Sequence, residues 1–172
     1  FSSTSFPAPT AGNYNAVLPG TDDPAVAPAG DGYSTLTVST AGRVSGSGTL
    51  ADGTVLRITS ASSANAQVPV YVPLYSGRGS LFGWLTVTNG DVSDVAGTLW
   101  WIKPATVGGT FYPAGFNNEV TTIGSRYVAP PKDTPVLTLN DGVVILGGGN
   151  LTDPLTNSVT LGGDNKITGD NQ

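Results

Sequence analysis

A strict alternation of aliphatic residues is the feature that most restricts how this chain can fold. Within residues 67–74, every second position holds an aliphatic side chain, namely Val68, Val70, Val72 and Leu74. A period of two matches the pleat of a β-strand, whose side chains point to opposite faces in turn. The intervening positions include Pro69 and Pro73, which cannot donate a backbone hydrogen bond. This strand should therefore lie at an edge, or leave one side of its backbone unpaired there.

A second patterned run follows directly. Residues 76–79 read Ser-Gly-Arg-Gly and predict a turn, and residues 81–87 then alternate again, with Phe82 and Trp84 on one face. Aromatic and β-branched residues are typical of strands. Residues 67–87 therefore predict a hairpin, which we place in the middle of an antiparallel sheet.

Similar runs lie on both sides of this hairpin, at residues 13–18, 33–39, 43–50, 54–59 and 95–102. Asp52-Gly53 between two of them is a strong signal for a tight turn. Short turns between successive strands predict an antiparallel meander. Gly46 and Gly48 fall on the inward face of one strand, where we expect a tryptophan from a neighbouring strand to cover them.

The predicted fold is all-β, an antiparallel meander that closes into an up-and-down barrel or a two-sheet sandwich of about eight to ten strands. Residues 1–12 read as an N-terminal arm or linker, and residues 13–161 as a single β domain. Within that domain, residues 105–131 are turn-rich and aromatic and predict an irregular loop. Residues 162–172 read as a polar tail.

Composition excludes several classes of function. The 172 residues contain no Cys and no His, which removes disulfides, thiol nucleophiles and the Ser-His-Asp arrangement. The formal net charge is -5, and the seven Lys and Arg residues are scattered, which argues against nucleic acid as a partner. No apolar run approaches the roughly 18 residues of a membrane helix. We expect no enzymatic activity, no cofactor and no metal.

The central aromatic residues are the leading candidate for a binding surface. We predict a flat platform for sugar rings built from Tyr71, Tyr75, Trp84 and Trp101, with Phe82 and Trp100 as further candidates. The alternative is that these side chains fill the core or plug a barrel end. Trp100 and Trp101 are adjacent in a strand and must point to opposite faces, so at least one of them should be buried.

A second candidate is an interaction site of Arg78, Arg126 and Tyr127, in which a guanidinium group would anchor a carboxylate or a neighbouring module. The alternative is that these side chains bond within the domain.

Carboxylates suggest two weaker possibilities. Glu119, the only Glu, could pair with Asp133 for glycoside hydrolysis. Loop carboxylates could hold calcium, because this ion prefers clustered oxygen ligands, but ordinary turn chemistry explains them equally well. The two candidate calcium clusters are Asp22, Asp23 and Asp31, and Asn89, Asp91 and Asp94.

The segments VPLYSGRGSLFGWL, WIKP and GSRY resemble a β-rich module of large secreted, repeat-containing bacterial surface proteins. The resemblance covers roughly residues 30–155. It implies an exported all-β module without an assigned activity, completed by strands from another segment or a partner chain.

Two functions remain open from the sequence. The first is a non-catalytic structural or interaction module at a bacterial surface or in an extracellular assembly, whose partners are other modules of the same precursor or copies of itself. The alternative is a carbohydrate-binding module that presents an exposed aromatic face to polysaccharide.

Overall fold

The computed structural model describes residues 1–88, 93–109, 111–137, 141–147 and 151–169. The chain forms two compact units, Phe1–Tyr127 and Val128–Gln172, where we predicted one domain over residues 13–161. The all-β class and the antiparallel pairing are confirmed, and the one helical element in the described residues is a 3₁₀ turn at Tyr75–Gly77.

Eight strands form the sheet of the first unit. They are β1 (Gly12–Leu18), β2 (Gly32–Val38), β3 (Arg43–Thr49), β4 (Val55–Ala61), β5 (Gln67–Leu74), β6 (Gly79–Val87), β7 (Val95–Lys103) and β8 (Phe116–Tyr127). Strands adjacent in the chain pair antiparallel, except β4 and β5, and β1 also pairs with β8. This order describes an up-and-down barrel that is closed except for a seam between β4 and β5.

The seam lies where the prolines of β5 predicted an unpaired edge. β5 has β6 as its ladder partner, and across the seam the Ser60 hydroxyl donates a hydrogen bond to the Pro69 carbonyl. The edge position of this strand is therefore confirmed. The placement of its hairpin in the middle of the sheet is wrong, because β5 ends the strand order.

Alternation along the strands separates a buried interior from a solvent-facing exterior. In β5, Val68, Val70, Val72 and Leu74 point inward, whereas Tyr71 and the two prolines point outward. Inward side chains from all eight strands form one continuous hydrophobic cluster, which includes Tyr14 of β1 and Val120 of β8. Of the two predicted architectures, the first unit therefore has that of the barrel.

Glycines on the inward face allow neighbouring strands to approach closely. A Cβ atom at Gly48 would lie 1.9 Å from the Tyr33 carbonyl oxygen, and one at Gly97 would lie 2.1 Å from that of Trp84. Bare backbone at such positions lets a small barrel bend sharply. The expectation that a tryptophan covers Gly46 and Gly48 is wrong, because a Cβ at Gly46 would meet the side chain of Leu36.

The segment predicted as an irregular loop over residues 105–131 contains a strand between its two irregular ends. Residues Phe116–Tyr127 form β8, the longest strand, which pairs with β7 on one side and β1 on the other. Its sequence is mostly polar, with Val120 and Thr122 as its fully buried side chains. Two long-range ladders stabilise a segment that has little apolar patterning of its own.

The N-terminal arm packs on the first unit. The Ala8 amide donates to the Thr40 carbonyl at 2.8 Å, and the buried Tyr14 hydroxyl donates to the Thr10 carbonyl at 2.6 Å. Phe1 and Phe6 stack with ring centroids 6.2 Å apart. Residues 1–12 therefore form a folded arm rather than an extended linker.

The second unit contains an antiparallel three-stranded sheet. Its strands are β9 (Asp141–Leu146), β10 (Leu155–Leu161) and β11 (Ile167–Gly169), in the order β11-β10-β9. Residues 162–172, which we predicted to be a polar tail, include β11, and this strand pairs with β10. The turn between them is closed by hydrogen bonds from the Gly162 amide to the Lys166 carbonyl and from the Asn165 amide to the Gly162 carbonyl.

Candidate functional site

Large aromatic side chains project outward from three adjacent strands of the barrel. Tyr71 of β5 lies directly opposite Phe82 of β6, and Phe82 lies directly opposite Trp100 of β7. Their exposed fractions are 70%, 37% and 40%. Trp84, two residues from Phe82 on the same face, is 58% exposed. We call these four residues the outer aromatic face.

The sheet sets the spacing of this face. Neighbouring strands lie about 4.8 Å apart, so the Cα positions of Tyr71 and Trp100, two strands apart, are separated by roughly 10 Å. In the described residues, the close ring pairs involve other aromatic side chains. The rings of the outer aromatic face are thus not stacked on one another, and they remain available to a ligand.

Polar groups border the aromatic rows. Trp84 lies opposite Thr98, which lies opposite Thr121, and Ile102 lies between Ser80 and Asn117 in the next outward row. Hydroxyl and amide groups therefore lie beside the aromatic rings on the outer surface of the sheet. Such a surface offers flat apolar contacts together with hydrogen-bond donors and acceptors.

A carboxylate lies at the end of the row formed by Tyr71, Phe82 and Trp100. Glu119 of β8 lies opposite Trp100 and lines a shallow depression of about 370 Å³, together with Asp22 and Asn118. The depression is open to solvent along the β1–β2 loop. Asp133, the other member of the predicted catalytic pair, belongs to the second unit, and that pairing remains a hypothesis.

Two of the four residues predicted for the platform, Tyr75 and Trp101, do not belong to the outer aromatic face. Trp101 is 4% exposed and points into the barrel, and its indole N–H donates to the Tyr75 hydroxyl at 2.9 Å. Tyr75 is half-buried in the 3₁₀ turn, where a φ of 53° turns its side chain toward the barrel end. Alternation in β7 puts Trp101 on the same face as Leu99, so Trp100 is the exposed member of the pair.

These inward aromatics belong to a polar cluster that plugs one end of the barrel. The Tyr75 hydroxyl donates to Asp52 Oδ2 at 2.8 Å, and Lys103 Nζ lies 2.8 Å from the same oxygen. The Asp52 side chain is 1% exposed, and the Lys103 ammonium sits 4.3 Å above the Tyr75 ring. We call Asp52, Tyr75, Trp101 and Lys103 the plug cluster.

Burial and hydrogen bonding have opposite effects on the pKa of Asp52. Burial by itself would raise the pKa of Asp52, but hydrogen bonds, led by that from Lys103, outweigh it and hold the pKa below its usual value. Burial, followed by the hydrogen bond to Asp52, raises the pKa of Tyr75. Asp52 is therefore ionised and Tyr75 neutral at neutral pH.

More aromatic contacts extend the plug cluster toward the loops. The Phe116 ring meets Trp101 edge-on at 4.8 Å, and Tyr112 meets Phe116 edge-on at 5.4 Å. The Tyr112 hydroxyl lies 3.0 Å from the carbonyl oxygens of Pro24 and Ala27 in the β1–β2 loop. These partners were not predicted, because Asp52 was interpreted only as a turn residue and Tyr112 falls within the predicted irregular loop.

The predicted interaction residues do not converge. Arg126 donates from its guanidinium group to the Ala11 carbonyl at 2.9 Å, and its backbone N–H donates to Asp94 Oδ2 at 2.6 Å. Arg126 therefore bonds within its own unit. Tyr127 is 45% exposed at the end of β8, and Arg78 is exposed in the β5–β6 turn.

Two of the candidate calcium carboxylates, Asp23 and Asp31, accept backbone hydrogen bonds within the β1–β2 loop. Asp31 Oδ1 accepts the Gly20 amide, and Asp23 Oδ1 accepts the Ala25 amide, both at 2.9 Å. Asn89 and Asp91 lie outside the described residues. In the part of the chain that the structure describes, no three acidic side chains come together as a metal site would require.

Comparison of the chain with protein-family models, with curated proteins and with solved structures found no match. Over the described residues, no helix has the length and apolar character needed to cross a membrane.

Proposed function

We propose that this protein is a non-catalytic interaction module that binds polysaccharide on its outer aromatic face. The observation that carries the proposal is the row of Tyr71, Phe82 and Trp100, in register across three strands and exposed to solvent. Large aromatics are usually placed where their area is buried, so a contiguous exposed set marks a contact surface.

Sugar polymers fit this surface better than small molecules do. An aromatic ring stacks on the apolar C–H face of a pyranose, and neighbouring Thr98, Asn117 and Thr121 offer groups that can bond its hydroxyls. The surface is the open outer face of the barrel rather than an enclosed pocket, and small ligands are usually held in concave sites. An extended chain lying across the strands would meet Tyr71, Phe82 and Trp100 in succession.

A location outside the cell, either extracellular or at the cell surface, is part of the proposal. Support comes from the resemblance of the VPLYSGRGSLFGWL, WIKP and GSRY segments to secreted bacterial modules. A rigid barrel with few charged groups also suits such a setting.

The decisive experiment measures retention of the protein by a panel of neutral and acidic polysaccharides in affinity electrophoresis. Trp100→Ala should weaken binding by about tenfold or more, equivalent to about 1.4 kcal/mol. Tyr33→Ala is the matched control, because Tyr33 is a 59% exposed aromatic on β2. The proposal fails if the wild type binds no polysaccharide, or if both variants behave alike.

Glu119 provides a separate test of the non-catalytic assignment. We expect incubation of the protein with the bound polysaccharide to release no reducing ends, and Glu119→Gln to leave that result unchanged while modestly weakening binding. Release of reducing ends that disappears in Glu119→Gln would instead assign an enzyme.

A further inference from the structure

The strand β9 exposes apolar side chains on both of its faces. Val143 and Ile145 on one face are 60% and 66% exposed, and Val144 and Leu146 on the other are 40% and 53% exposed. A strand in a folded sheet normally buries at least one face. Within the described residues, both faces of β9 therefore remain apolar and exposed.

The backbone edge of β9 is also open. Within the described residues β9 has β10 as its partner and ends the strand order. Proteins commonly protect such edges with proline, lysine or very short strands. The seam strand β5 has Pro69 and Pro73 on its edge and β11 is three residues long, whereas β9 reads Asp-Gly-Val-Val-Ile-Leu and carries neither device.

The sequence of β9 is complementary to itself. A two-fold axis through Val144 and perpendicular to the sheet would pair two β9 strands antiparallel, with Val144 opposite Val144 and Val143 opposite Ile145. Gly142 would then face Leu146, and Asp141 would face Gly147. The only charge in the strand is thus kept away from its copy, and the paired side chains are aliphatic.

We infer that β9 pairs with β9 of a second copy of this chain, joining their two three-stranded sheets into one continuous sheet. The pairing is isologous, so it closes as a dimer. Short β11 at the far edge offers little backbone for further addition, which favours a dimer over a fibre. This interface lies outside the outer aromatic face and does not depend on polysaccharide binding.

The test uses charge at the two-fold axis. Sedimentation equilibrium of the full chain should give twice the monomer mass of 17.4 kDa at high concentration. Val144→Lys and Val144→Asp should each be monomeric, because each places like charges opposite one another. An equal mixture of the two variants should recover the dimer, a result that a variant that merely misfolds could not give.

Control variants separate the possible causes. Ile167→Lys adds a charge at an exposed apolar residue of β11 and should leave the dimer intact, and far-UV circular dichroism should be unchanged in all variants. Trp100→Ala should also dimerise, so loss of polysaccharide binding and loss of dimerisation are scored separately. A wild-type monomer at every concentration, a dimer insensitive to both Val144 variants, or a mixture that stays monomeric would overturn the inference.

Discussion

Trp100 and Trp101 are neighbours in one strand, yet they lie in opposite environments. Trp101 points inward, is 4% exposed and donates a hydrogen bond to Tyr75, whereas Trp100 points outward, is 40% exposed and faces Glu119 across the ladder. The same residue type therefore packs in the core of the barrel on one face of the strand and is exposed to solvent on the other, where we propose that it binds polysaccharide. Substitutions at the two positions should therefore separate stability from binding.

The largest effect is expected from Trp101→Ala. Removing this side chain leaves a cavity beside Phe116 and deprives the Tyr75 hydroxyl of a donor, so the free energy of unfolding should fall by about 4 kcal/mol. Trp100→Ala should change it by about 0.5 kcal/mol or less. Urea denaturation followed by circular dichroism measures both values, and similar losses would contradict the assignment of the two faces.

The second-largest loss of stability is expected from Asp52→Asn. The substitution removes the ion-pair partner of Lys103, whose side chain is only 13% exposed. Breaking a buried ion pair costs about 3 kcal/mol. Adding Lys103→Met should restore part of the loss, because the unpaired charge is then removed. Urea denaturation of both variants checks this, and a double variant less stable than the single one would argue against the ion pair as the cause.

Gly97→Ala should cost about 2 kcal/mol, because the added methyl group collides with backbone atoms of Trp84 and Leu85 and the strands must separate. Gly169→Ala is the control, since its added carbon has no heavy atom within 4 Å. Thermal unfolding of the two variants distinguishes close strand approach from a general effect of replacing glycine. Equal shifts in melting temperature would remove the close-approach explanation.

The smallest effect concerns pH. Because the folded pKa of Asp52 is below its usual value, its ionisation stabilises the barrel above the ordinary Asp pKa of about 4. That contribution is lost as pH falls through the lowered pKa. The difference in unfolding free energy between wild type and Asp52→Asn should therefore narrow between about pH 5 and pH 2. A constant difference across that range would refute the pKa assignment.

Some strands could be predicted from the sequence because their own residues show a distinctive pattern. β5 shows alternation in every residue, and Pro69 and Pro73 also predicted that this strand lies at an edge or leaves one side of its backbone unpaired. β8 carries no comparable signal. Its outward residues Asn117, Glu119 and Thr121 and its inward Thr122 are all polar, so only its ladders with β7 and β1 define it as a strand.

The sequence predicted an exposed aromatic surface, but it did not predict correctly all the residues that form it. Tyr71 and Trp84 were placed on the exposed face correctly, but Tyr75 and Trp101 were not. In β7 both faces carry apolar residues, so the pattern cannot say which one is inside. The plug cluster was also beyond prediction, because Asp52 and Lys103 are 51 residues apart.

By itself, the sequence determined the all-β class, the turns and which residues share a face of each strand, because the backbone pleat imposes a period of two on neighbouring side chains. Tertiary structure alone decided which face points inward, where the sheet closes and which strand completes it. Those choices depend on the summed contacts of strands far apart in the chain, and no local pattern contains that sum.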